Sequence, residues 1–249
     1  MSAQQHYRYE LHSLTVLDSP MEVLVFRPEG AGPHPGLLLC QHLPMGHTGL
    51  ENDPFTLTSA RRLADAGFVV VAPFIFHWWP KSAPVELKRE NSRDDWTVAD
   101  LRAAFALLRN DASVDAARLG VVGHCWGGRV AWLAAGHLPD LQVLATFYGG
   151  NIGKGLGAGN PPPLGLTRFM EVRRVIGFYG NDDTNPSPGD VAAYAKALDE
   201  AGIAYEFHRY DGAGHAFQNF PMPERYREAA SEDAWSKLLE FLRRELQGS

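Results

Sequence analysis

Apolar positions recur along the chain with two periods, which divide it into strands and helices. From Met21 to Gly30, MEVLVFRPEG alternates apolar and polar residues and closes on Pro, Glu and Gly. That pattern predicts a half-exposed, antiparallel edge strand followed by a turn. PGLLLCQ (Pro35 to Gln41), FVVVAPF (Phe68 to Phe74) and LGVVGHC (Leu119 to Cys125) are instead apolar almost throughout, as parallel strands buried on both faces are. Between the first two, Asp53 and Pro54 suit a helix start and Gly67 a helix stop, which makes a βαβ unit.

SRDDWTVADLRAAFALLRND, Ser92 to Asp111, spaces Trp96, Ala99, Ala103, Phe105 and Leu107 mostly as a helix does and leads into the Leu119 strand. Strands LQVLATFYGG and RRVIGFYGND follow, then the helix PGDVAAYAKALDEAG, the strand AYEFHRYDG and a terminal helix from about Glu224 to Leu246. Regular alternation of this kind predicts a mostly parallel, doubly wound α/β sheet with helices on both faces. No repeat and no linker separates two cores, so residues 1–249 are expected to form one domain. HWWPKSAPVELKREN (His77 to Asn91) and GNIGKGLGAGNPPPLGLTR, ending at Arg168, lack periodicity and predict long loops over strand ends, either pocket walls or plain surface.

Composition narrows the function classes. An apolar share of 45% with 21% charged residues suits an ordinary globular protein. The net charge of −6, without a run of Lys and Arg, argues against nucleic acid as a partner. Neither a secretory signal nor a membrane-spanning run is visible, so a cytoplasmic protein that does not engage a membrane is expected. Two cysteines, Cys40 in a strand and Cys125 in a turn, are then expected as free thiols.

The turn is the chemically informative segment. In VVGHCWGGR, Gly123, His124, Cys125, Trp126, Gly127 and Gly128 connect a strand to a helix-compatible run. Glycines two before and two after Cys125 let backbones approach closely, and the helix start favours a thiolate. Inert packing of Cys125 in a permissive turn is the alternative. A base is offered by His215 in YDGAGHAFQN, beyond the last strand, where groups at the carboxyl ends of parallel strands converge; an ordinary surface histidine would also fit. GFYGNDDTNPSPGD supplies the carboxylate that would orient the imidazole, Asp183 being chosen and Asp182 held in reserve.

The order Cys125, Asp183, His215, each after a strand, resembles the α/β-hydrolase fold and, within it, the dienelactone hydrolase (carboxymethylenebutenolidase) family. GHCWGG is similar to that family's Gly-Tyr-Cys-Leu-Gly-Gly turn, GNDD to its Gly-X-X-Asp segment and GAGHAF to its Ala-Gly-His segment. QHLPMGHTG occupies the place of its Gln-Glu-Ile-Phe-Gly stretch. The resemblance implies ester or lactone hydrolysis through a cysteine acyl-enzyme. It also implies an oxyanion hole from the backbone N–H groups of Trp126 and Leu43. The chain departs from the family at His42, which stands where a Glu is usual. Trp78 and Asn219 stand near the places of substrate-binding arginines. His42, Trp78, Trp79 and Asn219 are therefore expected to line the substrate pocket, the tryptophans favouring an aromatic or apolar group; packing is their alternative role.

His42 could hydrogen-bond the thiol in place of the glutamate or simply line the pocket. His42, His47 and His77 could make a zinc set, but their spacing matches no strong metal motif, and with 10 histidines in the chain no metal and no cofactor are expected. A catalytically silent relative that binds a small apolar or aromatic ligand is the alternative function. A redox thiol protein would need a resolving cysteine, and only Cys40 is available. A small-molecule substrate and a monomer or small homo-oligomer complete the expectations.

Overall fold

Eight strands form one sheet in the computed structural model, which describes residues 8–43, 49–157 and 159–248. They are β1 (Glu10–Val16), β2 (Ser19–Phe26), β3 (His34–Cys40), β4 (Val69–Pro73), β5 (Val114–His124), β6 (Leu141–Phe147), β7 (Arg174–Gly180) and β8 (Ala204–Tyr210). Their order across the sheet is β1-β2-β4-β3-β5-β6-β7-β8. Strands β1 and β2 pair antiparallel, as do β2 and β4, and every later pairing is parallel. This is the mostly parallel α/β-hydrolase sheet.

The predicted edge strand lies one place further in. β1 takes the edge, and β2 is paired on both sides. From Met21 onward only Glu22 interrupts a buried strand, which is why alternation is a poor guide to its place: Met21, Val23 and Val25 are buried, and so are Leu24 and Phe26 on the opposite side. Burial alternates in β1 instead, as expected of an edge with one solvated face.

The helices are α1 (Pro54–Asp65), α2 (Val85–Glu90), α3 (Asp94–Arg109), α4 (Trp126–His137), α5 (Pro188–Ala201) and α6 (Glu228–Leu242). The long loop expected over residues 77–91 thus contains α2. The Asn151–Arg168 stretch runs into a 3-10 turn, Pro163–Phe169, to which Trp132 Nε1 donates a 3.1 Å hydrogen bond at Thr167 Oγ1. The last helix starts four residues later than expected and runs into a π-helical turn, Arg243–Gln247.

Two glycines show how tightly both faces are covered. Register pairs Gly36 with Leu119 and Leu37 with Gly120, so the two glycines face opposite ways. A Cβ on Gly36 would sit 2.9 Å from Leu108 of α3, and one on Gly120 would sit 3.2 Å from Leu246 beyond α6. α1 joins α6 on its face through the Arg62–Glu232 ion pair.

Strand order reverses between β3 and β5. From β3 the chain crosses to β4 on one side, whereas after β5 it proceeds through β6, β7 and β8 on the other. The segments leaving the carboxyl ends of β3 and β5 therefore diverge and leave a crevice between them.

Candidate active site

Cys125 occupies that crevice. It is the single residue between β5 and α4, with φ 56° and ψ −117°, a sparsely populated conformation that costs a non-glycine residue about 1–3 kcal/mol. Its N–H donates to Phe147 O at 3.0 Å, and its carbonyl accepts from Gly128 N at 2.9 Å. The turn closes so tightly that a Cβ on Gly123 would lie 1.9 Å from Gly127 O, and one on Gly127 would lie 2.0 Å from Cys40 O. Only glycine fits either position. The thiol, partly exposed, lines a cavity of about 710 Å³.

His215 and Asp183 meet the thiol in series. His215 Nε2 lies 3.0 Å from Cys125 Sγ, and Nδ1 donates to Asp183 Oδ2 at 2.9 Å. Asp183 is buried after β7 and its other oxygen accepts from Asn185 N at 2.8 Å, whereas Asp182 is exposed and engages the fold through its backbone N–H. The neighbouring residues divide in this way because the chain turns between them: Asp182 N–H reaches Ala213 O, and the next side chain is carried inward.

Electrostatics match the geometry. Burial pushes the Cys125 thiol up, but the hydrogen bond from His215, the charges of His215 and His42 and the Trp126 amide outweigh it and hold the thiol below its ordinary value. Burial pulls His215 down, yet Asp183 and the thiolate raise it well above the usual imidazole range. The thiol and the imidazole are thus shifted toward a thiolate–imidazolium pair. Tyr148, after β6, packs its ring edge-on against His215 at 5.4 Å; nothing in the chain pattern signals this contact, since the tyrosine reads as the end of a buried strand.

The crevice collects most of the other expected residues. His42, Leu43, Trp126 and Asn219 line the same cavity as Cys125, together with Phe55, Met222 and, at the rim, Arg89 and Arg225. His42 does not bond the sulfur through Nε2, which goes to Asp53 Oδ2 at 2.7 Å, both side chains being 6% exposed. Asp53 was visible in the sequence only as a helix cap. It does cap α1, accepting from Phe55 N at 3.1 Å, and its second oxygen is what reaches His42.

Trp78 and Trp79 correct an expectation. They lie outside the Cys125 cavity: Trp78 Nε1 donates to Asp100 Oδ2 at 2.9 Å and its ring stacks on Trp96 at 4.7 Å. Trp79 packs on the same Trp96, 6.1 Å away. The indole N–H finds a buried carboxylate on α3, and that partner turns the ring toward the helix layer. Of the three histidines weighed as a zinc set, His42 is paired with Asp53 and His77 with Asp100, and His47 lies outside the described residues. Among the described residues, no cluster of three or more His, Cys, Asp or Glu side chains could hold a metal ion. Cys40 is fully buried in β3, and burial raises its thiol far above the ordinary value, so it is unsuited to resolve a disulfide. No described helix is long and apolar enough to cross a membrane.

Comparison with known proteins agrees with this fold. The sequence profile of the Dienelactone hydrolase family matches residues 21–246. A protein of Methylorubrum extorquens named "Putative carboxymethylenebutenolidase" is 29% identical over 223 residues, 87% of this chain and 74% of that protein. A Bradyrhizobium protein named "Probable 2-oxo-3-(5-oxofuran-2-ylidene)propanoate lactonase" is 32% identical over 194 residues, 75% of this chain and 76% of its own length. Among solved structures, a Klebsiella pneumoniae protein described as a "Putative Dienelactone Hydrolase" superposes with a TM-score of 0.81 at 25% identity, covering 94% of this chain and 98% of that one.

Proposed function

The chain belongs to the dienelactone hydrolase family, and on that premise we propose that it hydrolyses an ester or lactone through a Cys125 acyl-enzyme. The observation that carries this is the series of contacts Cys125 Sγ to His215 Nε2 at 3.0 Å and His215 Nδ1 to Asp183 Oδ2 at 2.9 Å, opening on a cavity.

The thiolate attacks the substrate carbonyl, forming the C–S bond. Backbone N–H groups of Trp126 and Leu43 hold the resulting oxyanion; one such donor is typically worth about 10²–10³ in rate. His215, protonated while the thiolate waits, gives its proton to the leaving alkoxide as the C–O bond breaks. The imidazole then takes a proton from water as the water oxygen attacks the thioester carbonyl, and collapse of the tetrahedral intermediate breaks the C–S bond and releases the carboxylic acid, leaving the thiolate and the protonated His215 with which the cycle began. Asp183 holds the imidazole in the required tautomer throughout.

Phe55, Met222 and Trp126 give the cavity apolar wall, while His42 and Asn219 offer polar contacts beside the thiol. This suits a small ester or lactone with an apolar portion next to the scissile carbonyl. The reaction is assigned to a single domain, working as a monomer or small homo-oligomer in a reducing, cytoplasmic setting where both thiols stay free.

Mass spectrometry after brief exposure to a panel of lactones and aryl esters tests the mechanism. An acyl adduct on Cys125 that decays with time, absent in Cys125→Ala, is expected. Adducts confined to other residues would remove the basis for it.

A further inference from the structure

A second imidazole–carboxylate pair, His42 with Asp53, brings its imidazole to the wall of the same cavity as the sulfur. Register places Cys40 of β3 opposite Gly123 of β5, so the residues two further along each strand direction, His42 and Cys125, leave neighbouring strand ends and line one cavity. Asp53 fixes the ring. It accepts from His42 Nε2 at 2.7 Å while being held itself by Phe55 N at 3.1 Å and by Thr56 Oγ1 at 2.6 Å. Phe55 adds an edge-on ring contact to His42 at 5.0 Å, so the imidazole is clamped by α1 on two sides.

Building on the reading of Cys125 as nucleophile, we propose that His42, anchored by Asp53, is a positioning residue that sets a second positive charge against the sulfur, so that the free enzyme rests as a thiolate between two imidazole–carboxylate pairs. Charge balance supports this. The thiolate and the carboxylates of Asp53 and Asp183 bring three negative charges into one crevice, and protonating both His215 and His42 balances two of them. A neutral His42 would leave Asp53 as a buried carboxylate without a cation.

The other groups around His42 leave it that role. His124, at the end of β5, is fully buried and kept neutral, burial and the His42 charge holding it down to about 3. Tyr148 from β6 is kept in its phenol form by burial and by the charges of Cys125 and Asp183. Arg89 on α2 and Arg225 before α6 are exposed at the cavity rim, where water screens them. For His42 itself, burial opposes the charge, but Asp53 and the thiolate outweigh it and raise the ring above its ordinary value. Its positive charge therefore persists to higher pH than that of a free imidazole and disappears as pH rises through that raised value.

The test titrates the resting thiol and needs no substrate. Alkylation of Cys125 by iodoacetamide is followed from acid to alkaline pH, the adduct being located by mass spectrometry. His42→Gln is expected to move the midpoint upward by about one unit, making alkylation about tenfold slower on the acid limb. Asp53→Asn, which keeps an oxygen for the α1 cap, should move it the same way by less. A reciprocal measurement covers the case in which either variant fails to fold: in Cys125→Ala, the His42 ring should titrate at lower pH by NMR than in the unaltered protein. A midpoint unmoved in folded His42→Gln or Asp53→Asn, or a His42 titration unmoved in Cys125→Ala, overturns the proposal. Absence of ester turnover with these shifts intact would instead sink the hydrolase assignment and leave the paired-imidazole thiolate standing.

Discussion

His215 and His77 each bind an aspartate at less than 3 Å, His215 through Nδ1 to Asp183 at 2.9 Å and His77 through Nε2 to Asp100 at 2.8 Å. Each also meets a nucleophilic atom with its other nitrogen: Cys125 Sγ at 3.0 Å in one case, Ser19 Oγ at 2.9 Å in the other. Written as atoms, both are nucleophile–imidazole–carboxylate series. Their surroundings separate them. Cys125 stands alone in a left-handed turn at the start of α4 and faces a cavity. Ser19 begins the extended strand β2 opposite Val16, and the second oxygen of Asp100 is closed off by Trp78 Nε1. The His77 series ties β2, the segment after β4 and α3 together. Hydrogen bonding among three side chains is therefore no sufficient mark of a site; a strained turn, a helix N-terminus and open space beside the nucleophile make the difference.

The widest gap between the two regions should appear in turnover. Cys125→Ala or His215→Ala is expected to lower kcat on a reactive ester by about 10⁴–10⁶, while Ser19→Ala leaves it nearly unchanged. Equal losses from Cys125→Ala and Ser19→Ala would erase the distinction. Asp183→Asn should cost about 10⁴ in kcat by disturbing the imidazole tautomer, and Asp182→Asn, altering an exposed side chain, very little.

The interior series should instead be read in unfolding. His77→Leu leaves the Asp100 carboxylate buried without its partner and is expected to lower stability by about 3–5 kcal/mol in urea titration, with the folded fraction still active. Trp78→Phe removes one donor from the same carboxylate and should cost about 1–2 kcal/mol without changing KM. A raised KM would return Trp78 to the substrate pocket.

The smallest effect concerns pH. Cys125 is held below and His215 above their ordinary values, so both charges coexist over the interval between the two shifted values. The stabilisation linked to the thiolate is lost as pH falls through the lowered thiol value, and that linked to the imidazolium as pH rises through the raised imidazole value. The urea midpoint of the unaltered protein relative to Cys125→Ala should accordingly be highest within that interval and decline on both sides of it. A difference independent of pH would mean that the pair is uncharged at rest.

Local pattern carried most of the architecture. Continuous apolar runs such as GLLLC and LGVVGH can be satisfied only by burial on both faces, and glycines at 123 and 127 read as a tight strand-to-helix turn because no side chain fits there. The place of β2 escapes the pattern because alternation reports on one strand, whereas edge or interior placement depends on whether a neighbour such as β1 pairs with it. Trp78 differs from expectation for a similar reason: an indole near a turn looks the same in sequence whether its N–H faces a cavity or a buried carboxylate 22 residues away.

By itself the sequence determined the α/β alternation, the turn that carries Cys125 and the candidates His215 and Asp183, since each follows from periodicity or from backbone sterics acting over a few residues. Only the tertiary structure decided that Asp183 rather than Asp182 reaches the imidazole, that Asp53 captures His42, and that His77 and Trp78 close on Asp100. Those choices depend on which way a side chain points and what lies across a strand or helix boundary, and hydrogen-bond energy falls off too steeply with distance and angle for chain spacing to encode it.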